Sequence, residues 1–174
     1  MLFSISYTLG VIHHSETMHM NISTKLAVMA TSVSLVAGAA WADGHIKGAV
    51  KARQSLMQLY AYNLGQLGAM AKTTVPYDTE AASKAAGNLM TLMALDQSTF
   101  WPQGSDTPSF EGTAALPAIW EKYPDVVTKA TALNDAVVGL NAAAGTDLAS
   151  LQAAMGPVGE ACGACHKAYR KPAN

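Results

Sequence analysis

Cysteine is scarce: two in 174 residues, too few for the disulfide framework that holds small secreted folds together. Surplus positive charge is missing as well. Lys plus Arg number 11 and Asp plus Glu 12, a net charge of −1. Nothing stands ready to neutralise a phosphate backbone, which disfavours nucleic-acid binding from the outset. Glycine (14) and proline (7) are ordinary in number, so collagen-like and low-complexity readings fail. Charged residues make up only 13% of the chain and apolar residues 50%. Such a chain builds a sizeable core and does not read as disordered. Its length suits one domain.

The front of the chain reads as an address rather than as part of a fold. From Met20 it runs through a short polar start carrying Lys25, then an apolar stretch from Leu26 to about Ala40, then Ala40-Trp41-Ala42. The small-x-small ending fits a cleavage site, and the apolar stretch is too short for a comfortable membrane span. This predicts a secretory signal peptide over 20–42, cleaved after Ala42, with an uncleaved anchor as the competing reading. Residues 1–19 precede a leader that is complete without them. They are expected to lie outside the native protein, with translation starting at Met20 or Met18. Three of the five histidines, His13, His14 and His19, fall in that stretch. The mature protein is then 43–174, with no membrane span, and keeps His45, His166 and both cysteines.

Ala, Leu, Met, Lys and Gln dominate the mature chain, and β-branched runs are scarce, which favours helix over strand. Val50, Arg53, Met57, Tyr60, Leu64, Leu67 and Ala71 recur at three- and four-residue steps, predicting a first helix over about 46–72. A second is predicted over 79–95 with Asp78 as N-cap and Ala82, Ala85, Leu89 and Leu92 or Met93 on its inner face. A long loop rich in Gly, Pro, Ser and Thr follows. Phe100, Trp101 and Phe110 are expected to fold down from it onto the core. The third helix starts near Pro117, is interrupted by Pro124 and runs to Ala144, with Gly145 as its stop. Thr146 is the predicted N-cap of the fourth, 147–170, which Pro157 should bend or loosen. Four amphipathic helices with mainly short connections predict an all-α, antiparallel up-down-up-down four-helix bundle.

One motif carries chemistry: Cys162-Gly163-Ala164-Cys165-His166. C-x-x-C-H is the attachment pattern of haem c. Two thiols add across the two haem vinyl groups, and the adjacent imidazole stands beneath the iron. On a helix, positions 162, 165 and 166 share one face, so all three reach one flat cofactor. A thioredoxin-like C-x-x-C belongs at a helix start after a strand, and a zinc site needs two further ligands that this chain does not offer nearby. No paired acid or free nucleophile–base arrangement is visible, which argues against an enzyme.

The motif lies near the C-terminus, on the last of four predicted helices. Together with Arg53-Gln54, Pro76-Tyr77-Asp78, Ile119-Trp120 and the continuation to Tyr169-Arg170, this resembles the class II cytochromes c, the cytochrome c′ family. The resemblance covers essentially the whole mature chain. It implies the bundle fold, with one haem c bound covalently to the last helix through Cys162 and Cys165 and with His166 as proximal ligand. It places Met57 opposite the iron. Gln54-Ser55-Leu56-Met57 followed by Leu67-Gly68-Ala69-Met70-Ala71-Lys72 is similar to the low-spin, Met/His-ligated branch. The resemblance further implies that Arg53 and Gln54 hydrogen-bond the haem propionates and that Arg170 lies near the proximal face. Tyr60, one turn beyond Met57, lines the haem or simply packs. The function implied is electron transfer in the periplasm, the iron cycling between Fe(III) and Fe(II) with redox proteins as partners. The alternative is a five-coordinate, high-spin protein that binds NO or CO. Homodimers through the first two helices are frequent in this family, and Ala61, Gly65 and Gly68 would permit one.

Overall fold

The structure, a computed structural model, describes the backbone of residues 22–172 and the side chains of residues 44–172. The expectations for residues 1–19, with their three histidines, lie outside the described residues. The chain divides between Trp41 and Ala42, and the unit from Ala42 onward carries the bundle.

Four long helices make up the architecture: α1 (Ile22–Ala71), α2 (Thr79–Met93), α4 (Tyr123–Ala143) and α5 (Leu148–Tyr169). Between α2 and α4 lie a 3-10 turn, Ser98–Phe100, and the short helix α3 (Ala118–Glu121). Among the described residues no helix is long and apolar enough to cross a membrane.

Side-chain contacts give the up-down-up-down order. At one end, Gln152 Nε2 near the start of α5 donates to Ala71 O at the end of α1 (2.7 Å), and the Tyr77 hydroxyl before α2 donates to Ala144 O after α4 (2.9 Å). Midway, Asn88 Nδ2 of α2 donates to Asn63 Oδ1 of α1 (3.0 Å). At the other end, Tyr169 of α5 reaches Asp125 of α4. Leu67, Leu89, Leu140, Leu151 and Val158, drawn from all four long helices, are fully buried. Each such side chain contributes about 2 kcal/mol by leaving water. A second, smaller cluster of Ala115, Ile119 and Tyr169 packs with Trp101, Val126 and Cys165.

Helix starts follow from local chemistry. Asp78 caps α2, its carboxylate accepting from Ala81 N (2.7 Å). Asp147 caps α5 in the same way, accepting from Ser150 N (2.7 Å). Thr146, the predicted cap, instead back-bonds to Ala142 O (3.5 Å). A carboxylate one residue on is the stronger acceptor for an orphan helix N–H. Pro124 does not interrupt a helix. It sits in the first turn of α4, where its missing N–H costs nothing, and the break falls at Lys122 (φ −121°, ψ 38°). α1 begins well before Ile46, because the intervening stretch holds good helix formers and no proline. Pro157 is accommodated within a continuous α5.

Gly145 does mark the α4–α5 turn, for a reason the sequence hides. Its φ is not positive; a Cβ there would collide with Ser83 Oγ of α2. Close approach, rather than left-handed backbone, requires the glycine. The loop does use left-handed glycines, at Gly104 (φ 79°) and Gly112 (φ 83°).

Candidate functional site

A cavity of about 630 Å³ opens between α1, α4, α5 and the loop after α2. Seven of the eight residues predicted for the site line it: Arg53, Gln54, Met57, Tyr60, Cys165, His166 and Arg170. Cys162 is not part of the lining; it sits one turn earlier on α5 and packs against the main core. Met93, Trp101, Ile119, Val126 and Leu133 supply apolar wall, and Lys129 and Thr113 add polar groups.

α1 presents Arg53, Met57 and Tyr60 at steps of four and three, one helical stripe. Leu56 beside them turns into the protein, whereas Met57 is 38% exposed and faces the cavity. Arg53 is buried, and its hydrogen bonds run to the loop. Nη1 donates to Ser105 Oγ (2.7 Å) and Phe100 O (3.3 Å); Nη2 donates to Ser105 O (2.5 Å) and Thr113 Oγ1 (2.6 Å). The guanidinium also stacks over Trp101, 4.8 Å from the ring centroid. No ion pair among the described residues includes Arg53, and burial lowers its pKa. Arg53 therefore fastens the loop to α1, a role its position in the sequence did not reveal, while bringing an uncompensated cation to the cavity wall. Gln54 Nε2 likewise holds the loop through Gly112 O (2.7 Å). Tyr60 donates to Leu92 O (3.2 Å), and burial raises its pKa.

On α5 the two thiols stand one turn apart, both half-buried and neither in a disulfide. Burial raises the pKa of each. His166 is held on the neutral side, first by desolvation and then by the Arg170 charge. A neutral imidazole is the form that ligates a metal. Among the described residues no group of three or more His, Cys, Asp or Glu gathers to hold a bare metal ion. The donors lining the cavity are the His166 imidazole, the Cys165 thiol and the Met57 and Met93 thioethers, with the Cys162 thiol one turn earlier on α5.

The last turn of α5 is fastened on several sides. Leu116 N donates to Tyr169 O (3.0 Å) and Lys171 N to Ala114 O (2.8 Å), forming a short bridge between Ala115 and Arg170. The buried Tyr169 hydroxyl donates to Asp125 Oδ2 (2.5 Å), and Lys129 Nζ sits 3.0 Å from the same oxygen. The bond to Asp125 pushes the Tyr169 pKa up to about 12 and holds the Asp125 carboxyl below its usual range. Sequence reasoning named Tyr169 in the continuation of the C-x-x-C-H motif and missed its partner. The only available signal was the i,i+4 spacing of Asp125 and Lys129, which is common on exposed helices.

The family model described as Cytochrome C′ matches residues 48–170. Cytochrome c-554 of Cereibacter sphaeroides is 45% identical over 148 residues, covering 84% of this chain and 97% of that protein. Among solved structures, cytochrome c′ from Rhodobacter spheriodes superposes with a TM-score of 0.72 at 38% identity, covering 74% of this chain and 98% of that one. A ferrous variant of the Alcaligenes xylosoxidans cytochrome c′ with bound NO superposes with a TM-score of 0.64 at 38% identity, covering 74% and 97%.

The residues present fit haem c. Two thiols one turn apart precede an imidazole on one helix, the walls are largely apolar, and of the cavity-lining cations Arg53 and Arg170 form no ion pair among the described residues, Lys129 being paired with Asp125. That charge balance suits a flat apolar group bearing acid side chains.

Proposed function

Because the chain belongs to the cytochrome c′ family, which binds haem c, we propose that it is an exported monohaem electron carrier. Its haem is joined to Cys162 and Cys165, with His166 and Met57 as axial ligands. The observation that carries this reading is that Met57 of α1 and His166 of α5 line the same cavity from different helices. Bound there, haem supplies an iron that gains or loses one electron. The chain's own residues do the rest. The thiols would fix the group, the neutral His166 imidazole and the soft Met57 thioether would hold its iron, and the apolar walls would keep water away. A thioether ligand favours the ferrous state and so raises the potential. Arg53 and Gln54, while holding the loop, are close enough to the cavity to bond the acid side chains of the group. The leader over 20–42, and the division of the chain beside Ala42, support export to the periplasm and work with redox proteins there.

A second reading has its own support. The ferrous variant of the Alcaligenes relative holds bound NO. In that reading Met57 only walls the cavity and the iron is open to small ligands. Met57→Ala separates the two. If Met57 is a ligand, the variant turns high-spin and gains CO binding that the wild type lacks. An absorption spectrum unchanged by the substitution overturns the ligation.

A further inference from the structure

We propose that Asp125 and Lys129, a charge pair held against α5 by Tyr169, act in opposite directions on the reduction potential of the site, so that each charge masks most of the other's effect. The inference rests on haem being carried at Cys162 and Cys165.

The placement is specific. Asp125 and Lys129 are one turn apart on α4, with Lys129 Nζ 3.1 Å from Oδ1 and 3.0 Å from Oδ2 of Asp125. Exposed i,i+4 pairs of this kind are usually worth little. This one differs in two ways. The Lys129 side chain is only 25% exposed and lines the cavity. Asp125 is fixed from the other side by the buried Tyr169 hydroxyl, in the same turn that carries Cys165 and His166. The Asp125 side chain is itself 48% exposed, so the Tyr169 bond is what holds the carboxylate toward α5. Asp125 does not line the cavity; it reaches the site through Tyr169 and Lys129, and is a positioning residue.

The electrostatics have definite signs. A carboxylate near the site stabilises the ferric state and lowers the potential; a cation stabilises the ferrous state and raises it. Held together, the two charges form a short dipole with a small net effect. Removing one exposes the other. Arg53 and Arg170 also line the cavity, but neither belongs to this pair, so their effect is a constant background.

The test is spectroelectrochemical titration of the covalently loaded protein carrying Asp125→Asn, Lys129→Gln or both. Asp125→Asn is expected to raise the potential and Lys129→Gln to lower it. Each should change the ferrous-to-ferric ratio at a fixed applied potential about three- to tenfold, as expected for one charge partly screened by protein and solvent. The double variant should return close to wild type. Tyr169→Phe keeps both charges but releases the carboxylate, and should move the potential the same way as Asp125→Asn by a smaller amount. Lys129→Arg should restore the wild-type value.

A merely structural role predicts lower thermal midpoints with shifts of one sign and no cancellation in the double variant; that result, or no shift at all, overturns the proposal. Should Asp125→Asn fold poorly, Lys129→Gln and Lys129→Arg decide the question alone. The titration is defined whether or not Met57 is a ligand. Failure of the axial assignment shows instead as CO binding in the wild type, with the opposed signs intact. If haem is held independently of these thiols, Cys162→Ala with Cys165→Ala retains it at wild-type stoichiometry with an unchanged visible spectrum.

Discussion

Arg53→Met removes the guanidinium and little volume, so its cost can be worked from the hydrogen bonds. Arg53 donates four, to Ser105 Oγ, Ser105 O, Phe100 O and Thr113 Oγ1. Two of these acceptors keep company without it. Ser105 Oγ still donates to Pro102 O (2.6 Å), and Thr113 Oγ1 still accepts from Ala115 N (3.2 Å). The Ser105 and Phe100 carbonyls lose their donor. An orphaned buried carbonyl costs about 1–3 kcal/mol, and the lost stacking on Trp101 adds about 0.5–1 kcal/mol. Relief of the desolvated charge offsets part of this. The expected net loss is about 3 kcal/mol, a fall of about 10 °C in the thermal midpoint for a domain of this size. Circular dichroism at 222 nm on the holoprotein reads it directly. Arg53→Lys keeps the charge but cannot fork between the loop acceptors, and should recover less than half of the loss. Lys84→Met, which breaks only the exposed pair with Glu80, provides the baseline. If Arg53→Met stays within about 0.5 kcal/mol of wild type, the loop is not held by this side chain and the reasoning fails.

Gly145→Ala should cost about 1 kcal/mol, because the new methyl displaces Ser83 Oγ from its bond to Thr79 O. Ser83→Ala should remove most of that cost, and additive losses in the double-variant cycle would contradict the close-approach account. The Asp147 carboxyl is held below the usual carboxylate range, first by the Ser150 backbone bond. Its stabilisation is therefore complete above the unfolded value and fades as pH falls through the folded one. Asp147→Asn keeps a capping oxygen without the titration. Its thermal midpoint should fall less steeply than wild type below about pH 4, and parallel curves would contradict the assignment. Cys162→Ala with Cys165→Ala should leave the purified protein without haem; haem kept at wild-type stoichiometry in a pyridine haemochrome assay would contradict attachment at this motif.

Much of the fold was legible because helix periodicity and capping are local. Asp78 as a cap, the α1 stripe and the C-x-x-C-H helix follow from residues within a few positions of one another. What escaped depends on contacts across the bundle. Whether Thr146 or Asp147 caps α5 turns on which side chain reaches a free N–H. Pro124 was misread because the helix restarts one residue before it, at Tyr123. The glycine at 145 is needed by Ser83, far away in sequence. At the site, the C-x-x-C-H spacing was legible in the residues of α5, whereas the placing of α1 across from it came from the family resemblance; seven of the eight named side chains line one cavity. The partners of Arg53 and Tyr169 were not legible. They lie 47, 52 and 60 residues away for Arg53 and 44 for Tyr169, beyond the reach of any local pattern.

The measurement that tests the central claim most directly is the visible spectrum of the reduced, covalently loaded protein before and after CO. A closed Met57/His166 site predicts a sharp, well-resolved α band that CO leaves unchanged. A broad high-spin band that shifts on adding CO contradicts it and makes this chain a binder of small gases.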